Sequence, residues 1–385
     1  MDEDWQQSGF GIYIHWPFCE SKCPYCDFNS HVSGNVDQRQ WAKALVSELE
    51  RYNLLLPHRA VNSVFFGGGT PSLMTPELIE TLLMCISETF GFTRGAEITL
   101  EANPSSVEAG KFQDFRGAGI NRVSLGIQAL NDQDLKYLGR MHSAAEARRA
   151  LDIAQTTFPR TSFDLIYARQ HQTLQSWEAE LTEALSIGTE HLSLYQLTIE
   201  DGTVFGRRHA EGKLPGLPQD DLAADMYSLT QDMCNTAGLP AYEVSNHARP
   251  YAESQHNLIY WRYGDYIGIG PGAHGRLTLN GIKHATETKL FPDQWLKDAQ
   301  SGNAEASRVR LTGKECGTEY MLMSLRLLEG CDLSRVAGFD PSLVNISKIK
   351  DLVEMDMLSQ TGDILKATPA GRPVLNAILR DLLND

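Results

Sequence analysis

With 385 residues, 42% apolar and 22% charged, the chain is long enough for two domains and has the composition of an ordinary globular protein. No window approaches the roughly 18 uninterrupted apolar residues of a membrane-spanning helix, and a formal charge of −15 argues against a broad basic face for nucleic acid. The opening Met1-Asp-Glu-Asp-Trp-Gln-Gln is acidic and polar, the wrong start for an export signal, so the expected location is the cytoplasm; there, seven cysteines do not read as a disulfide framework.

Short β-rich runs recur at 11–15, 61–66, 97–100, 122–125, 162–166 and 191–195. Amphipathic stretches such as 37–55, 75–90 and 174–187 separate them, and Thr75-Pro76-Glu77 makes a good helix start: a capping hydroxyl, proline in the first turn, then an acid. This alternation predicts a parallel sheet with right-handed crossovers. Six units fit before residue 200, and a closed barrel would need about eight. The expected class is therefore α/β, an open partial (β/α)6 barrel.

Beyond residue 200 the alternation is harder to follow. Residues 201–219 are rich in Gly and Pro, 220–237 read as a helix, and 264–272 read as a turn-dense segment. From about Leu311 two helical stretches, 314–329 and 341–355, precede a polar hairpin at 357–367 and a last helix from Pro369. Helices followed by a small β-wing predict a winged-helix-like C-terminal domain. The expected division is a barrel over 1–200, a barrel extension over 201–305 and the C-terminal domain over 306–385.

Three of the cysteines, Cys19, Cys23 and Cys26, fall within eight residues, in a loop directly after the first predicted strand. In α/β proteins that edge is where sites form. Thiolates at this spacing can converge on one small inorganic core. A structural zinc would want four ligands, with His15 or His31 completing the set. A closed iron–sulfur cluster would want a fourth cysteine, and position 28 is Phe28. A third possibility is a cluster with one iron left open for a ligand.

CxxxCxxC after the first strand resembles the signature of the radical-SAM superfamily, and Tyr13-Ile-His-Trp-Pro-Phe-Cys19 resembles the opening of its coproporphyrinogen-oxidase-like branch. The resemblance extends over nearly the whole chain. It implies a 4Fe–4S cluster on Cys19, Cys23 and Cys26 that binds S-adenosylmethionine (SAM), and a reductant protein to supply electrons.

Phe66-Gly67-Gly68-Gly69-Thr70-Pro71 ends the second predicted strand. Missing β-carbons let backbone groups approach a ligand; a phosphate loop would need a Gly-Lys-Ser/Thr ending, and a plain turn is the other reading. The resemblance makes this turn the site for the methionine amino group. It implies SAM contacts from Tyr13, Gly68, Gly69, Thr70 and Glu101, with Tyr25, Gln128, Arg140, Asp164 and Thr198 lining the rest of the cavity. Taken singly, such polar residues are more often caps, surface charges or satisfied core groups. One departure stands out: Ala168-Arg169-Gln170-His171 replaces a usual Gly-Leu-Pro before the Gln-Thr pair, which puts the path of that loop in question.

The oxidase members carry a further cysteine where this chain has Phe28, and a longer arm before the first strand. His256-Asn-Leu-Ile-Tyr-Trp261 instead matches the HNxxYW motif of the haem-chaperone subfamily. Imidazole is a good axial ligand for haem iron, so His256 is the haem candidate and His274 a second, although a buried, satisfied histidine is the plainer reading of His256. The expectation is a cytoplasmic haem chaperone that passes haem to an acceptor protein. The alternative is an oxygen-independent coproporphyrinogen III oxidase. Radical modification of RNA is disfavoured by the acidity.

Overall fold

The computed structural model describes residues 4–34 and 36–383. Residues alternate in chemistry along the early strands, and the sheet sorts them onto two faces. In β1 (Phe10–Trp16), Phe10, Ile12, Ile14 and Trp16 enter the main core, whereas Gly11, Tyr13 and His15 take the other face. The same sorting runs through β2 (Val61–Gly68), β3 (Phe92–Ala102), β4 (Arg122–Gln128), β5 (Arg160–Tyr167) and β6 (His191–Gln196).

The apolar face is covered by helices. Trp41, Leu45 and Leu49 come from α1 (Gln38–Leu55), Leu82 and Ile86 from α2 (Pro76–Thr89), and Leu151 from α3 (Ala144–Thr157). Trp177 and Leu181 come from α4 (Leu174–Ser186). Each such burial contributes about 1.5–3 kcal/mol. The other face carries an unusual amount of buried polarity. Arg122 Nη2 donates to Ser162 Oγ at 2.8 Å, Ser162 Oγ to Ser124 Oγ at 2.9 Å, and Ser124 Oγ to Asp164 Oδ1 at 3.3 Å.

The six early strands lie side by side in chain order and parallel, as the alternation predicts. They belong to an eleven-stranded sheet that includes β7 (Asn246–Ala248), β8 (Asp265–Ile269), β9 (His274–Leu279), β10 (Ile282–Thr288) and β11 (Glu305–Arg310). Its order is β11-β10-β9-β8-β1-β2-β3-β4-β5-β6-β7. The turn-dense reading of 264–272 is corrected here: β8 runs parallel to β1, from Phe10↔Asp265 to Ile14↔Ile269. Its glycines serve close approach. A β-carbon on Gly268 would lie 2.1 Å from the His274 carbonyl, and one on Gly270, at φ +106°, 2.2 Å from the His15 carbonyl.

The C-terminal region has its own core, with Met321, Leu325, Val336, Leu352, Leu365 and Leu379. Helices Gly313–Ser324, Leu333–Phe339, Ile346–Glu354 and Leu375–Leu383 surround a three-stranded sheet of Cys331–Asp332, Leu358–Thr361 and Ile364–Ala367. This is the helix-and-wing arrangement expected. Among the described residues, no helix is long and apolar enough to cross a membrane.

Candidate cofactor site

The loop between β1 and α1 is tied down at several points. Phe18–Cys19 pairs in parallel with His31–Val32, and Lys22 Nζ donates to the Phe28 carbonyl at 3.2 Å. Asn29 Nδ2 donates to the carbonyls of Pro271 and Leu290, each at 2.9 Å. The loop thus bridges the end of β1 and the turn after β8.

Gly67–Gly69 close against this loop. Gly69 N donates to the Trp16 carbonyl at 2.7 Å, Thr70 N to the Phe18 carbonyl at 2.8 Å, and Thr70 Oγ1 lies 3.5 Å from Cys19 Sγ. A β-carbon on Gly69 would stand 3.0 Å from the same sulfur; one on Gly68, at φ +110°, 2.7 Å from the His15 ring. The glycines are needed first for the protein's own packing, which the motif alone does not reveal.

Cys19, Cys23, Cys26, Tyr25, Gly68, Gly69, Thr70, Glu101, Gln128, Arg140 and Asp164 all line one cavity of about 200 Å³. Thr198 is not on its lining. Tyr13 faces an adjoining cavity of about 340 Å³, which shares Phe28, Gly68 and Glu101 with the first.

Burial pushes the Glu101 carboxyl up to about 8, helped by the nearby charge of Asp164; the Gly68 amide and Arg122 oppose the rise. Asp164 is raised to about 6 by burial, against the pull of Ser193, Arg122, Ser124 and Arg140. Arg140 reaches Cys23 Sγ at 3.4 Å through Nη1, and Nη2 donates to Asn103 Oδ1 at 2.6 Å and to the Gly126 carbonyl at 2.8 Å. Burial raises the Cys19 and Cys26 thiols.

The donor set suits an iron–sulfur cluster with an open position. Cys19, Cys23 and Cys26 are free thiols on one cavity wall, while Cys85, Cys234, Cys316 and Cys331 are buried elsewhere. The histidines that a zinc site would recruit are committed. His15 Nδ1 meets Tyr13 Oη at 3.1 Å and Nε2 the Asn29 carbonyl at 2.9 Å; His31 Nε2 meets Asn29 Oδ1 at 3.0 Å. Among the described residues, no three His, Cys, Asp or Glu side chains are drawn to the spacing of a single metal ion. Gln128 Oε1 and Arg140 Nε, both buried in residues that line the cavity, have no hydrogen-bond partner among the described residues. Buried polar atoms are normally satisfied, so these fit a polar ligand such as SAM.

Two residues that the motifs did not signal help hold this wall. Arg122 carries the charge beneath Glu101 and Asp164. Arg169 is buried in the departing loop, where Ala168 and His171 adopt φ of 56° and 61°. Its guanidinium donates to the Ile166 carbonyl at 2.6 Å, Asp134 Oδ2 at 2.7 Å, Glu180 Oε2 at 2.5 Å and the Gln128 carbonyl at 3.4 Å. The altered loop is thereby pinned, and Asp164 stays on the cavity. Alternating polar residues in β4 were the available signal for Arg122; the departure at 168–171 marked the Arg169 loop but not the partners of its side chain.

His256, the haem candidate, takes the placement of the plainer reading, a buried and satisfied histidine. It lies 1% exposed on α5 (Gln255–Trp261), stacked on Phe65 at 5.0 Å. Ser63 Oγ meets its Nδ1 and Tyr260 Oη its Nε2, each at 2.7 Å, so neither nitrogen is open to iron. Gly11, opposite, leaves room for the ring: its β-carbon would stand 3.3 Å away. His274, by contrast, has a side chain 61% exposed and lines the adjoining cavity.

Comparison with known proteins agrees with this geometry. The Radical SAM superfamily model matches residues 13–184, and the HemN C-terminal domain model residues 311–374. The chain is 38% identical over 385 residues to radical S-adenosyl methionine domain-containing protein 1, mitochondrial, of Bos taurus, covering 97% of this chain and 87% of that one. It is 36% identical over 375 residues to the heme chaperone HemW of Escherichia coli (strain K12), covering 96% of each. The solved structure of coproporphyrinogen III oxidase (HemN) from Escherichia coli superposes with a TM-score of 0.82 at 22% identity, over 98% of this chain and 90% of that one, and so shares the fold. The chain therefore belongs to the radical SAM superfamily, in the group that holds HemW and radical S-adenosyl methionine domain-containing protein 1.

Proposed function

We propose that this protein is a haem chaperone with a radical SAM core, holding a 4Fe–4S cluster on Cys19, Cys23 and Cys26 and passing haem to an acceptor protein. The observation that carries the reading is the end-to-end relation to the heme chaperone HemW, 36% identical over 96% of both chains. Phe28 supports it against the oxidase, since that position lacks the extra thiol. Location in the cytoplasm belongs to the same proposal, as do a protein reductant for the cluster and the three-part division 1–200, 201–305 and 306–385.

When bound, the cluster and SAM supply one-electron chemistry at a carbon–sulfur bond. The chain's own residues orient and shield. Glu101, held partly protonated by burial, can ionise to meet a cationic amine or sulfonium, while Asp164 and Gln128 offer acceptors to a sugar diol or adenine edge. Arg140 anchors the wall beside Cys23. Tyr13, held neutral by burial, presents its ring and a hydroxyl fixed on His15.

The test is anaerobic reconstitution followed by haem titration and a coproporphyrinogen assay. Stoichiometric haem binding without decarboxylation supports the chaperone; steady turnover of coproporphyrinogen overturns it in favour of an oxidase.

A further inference from the structure

The second cavity, about 340 Å³, sits where the ends of β1 and β8 meet the start of β9. Its walls include the rings of Tyr13, Tyr260, Tyr266 and Phe28, with His274 among the lining residues. Phe28 is 57% exposed and the His274 side chain 61%, so the mouth faces solvent. Large apolar rings are costly to leave in water, and an aromatic-walled cavity suits a flat, apolar ligand.

The glycines around β8 build this mouth. Gly270 packs on the His15 carbonyl, and Gly272, at φ +70°, on Asn29 of the cysteine loop. These contacts draw the β8–β9 turn against the cluster loop and set His274 beside it. Across the β9–β10 pair, Glu287 Oε1 lies 3.8 Å from His274 Nδ1. Among the described residues the His274 side chain makes no closer polar contact than this and is 61% exposed, so the imidazole is reachable by a metal.

The rings are themselves held. Tyr260 Oη is bonded to His256 Nε2 at 2.7 Å and packs edge-on against Tyr266 at 4.3 Å between ring centres. Tyr13 stacks over His256 at 6.3 Å. The HNxxYW helix thus shapes the cavity wall from beneath.

Resting on the haem-chaperone reading above, we propose that this cavity is the seat of the haem, with His274 as the axial ligand to its iron and His256 as a positioning residue acting through Tyr260. The cavity stands at the small end of the roughly 300–1,000 Å³ typical of ligand pockets. A cavity of this size would enclose only part of a macrocycle and leave the rest in solvent, which suits cargo that must be handed on.

The experiment is an anaerobic titration of the full, cluster-loaded chain with ferric haem, following the Soret band in wild type, His274→Ala and His256→Gln. His274→Ala should shift the Soret band and weaken haem binding by about tenfold or more, and added imidazole should restore the wild-type band. The iron–sulfur EPR signal and its response to SAM should not change. His256→Gln should keep the wild-type Soret position with reduced affinity, because the ligand remains and only its wall loosens. An unchanged Soret band and affinity in His274→Ala, with wild type binding haem normally, overturns this assignment while leaving the chaperone reading intact. Absence of stoichiometric haem binding by wild type overturns both.

Discussion

The cysteine loop and His256 stand toward opposite ends of the same strands. The loop follows the carboxyl end of β1 and leans on the glycine turn that ends β2, whereas His256 bonds to Ser63 near the start of β2. At the first end, three thiols outside any disulfide line one cavity with Gln128 and Arg140, whose Oε1 and Nε have no hydrogen-bond partner among the described residues. At the second, the groups close on one another: His256 between Ser63 and Tyr260, its backbone N–H on Glu97, and Asn257 Nδ2 on the Tyr242 hydroxyl at 3.2 Å. A polar residue with spare valences at a strand's carboxyl end is available to a ligand; one whose bonds are all made within the chain holds the barrel.

Cys23→Ala should abolish cluster assembly, read as iron content and visible absorbance after reconstitution. Cys331→Ala, in the C-terminal core, should keep the cluster and lower only the unfolding midpoint. Retention of the cluster in Cys23→Ala would remove the loop from the site.

His256→Ala leaves the Ser63 and Tyr260 hydroxyls buried without partners and should cost about 2–4 kcal/mol in denaturant unfolding. Burial lowers the His256 imidazole to about 3. Its contribution to stability is therefore complete above about pH 6.5 and is lost as pH falls toward 3. His256→Gln should flatten that part of the stability–pH curve.

Gly68→Ala places a β-carbon against His15 in a left-handed backbone, at φ +110°. A loss of about 1–3 kcal/mol is expected, together with weaker SAM binding because the turn carries both. Normal stability and affinity would show the turn to be tolerant.

The gentlest test concerns Glu101, raised to about 8. Its carboxylate form should bind the cationic cofactor better, so SAM affinity should climb as pH rises toward 8 and level off above it. Glu101→Gln should lose that dependence and bind about tenfold more weakly at high pH. A pH-independent wild type would contradict the assigned role.

The two regions also show what was legible in the residues. β1 to β6 could be read because each is a short β-rich run set off by helix-like stretches, as 61–66 is from 75–90. β8 could not, since Gly268 and Gly270 look like turn residues, and the close approach to His274 and His15 that requires them spans distant segments. The cysteine loop and the glycine turn carry their chemistry in adjacent residues. HNxxYW names its donors but not their partners: Ser63 stands 193 residues from His256, so the sequence could not decide between the ligand and the satisfied histidine. The departing loop around Arg169 was visible but its role was not, for the same reason: the carboxylate partners come from Asp134 and Glu180.

The most direct measurement is EPR of the anaerobically reconstituted, reduced chain, with and without SAM, beside a variant carrying Cys19→Ala, Cys23→Ala and Cys26→Ala together. About four irons per chain are expected, with a signal that changes when SAM is added, and neither iron nor signal in the variant. A signal indifferent to SAM, or a cluster that survives loss of all three thiols, would show that these cysteines do not hold a SAM-binding cluster.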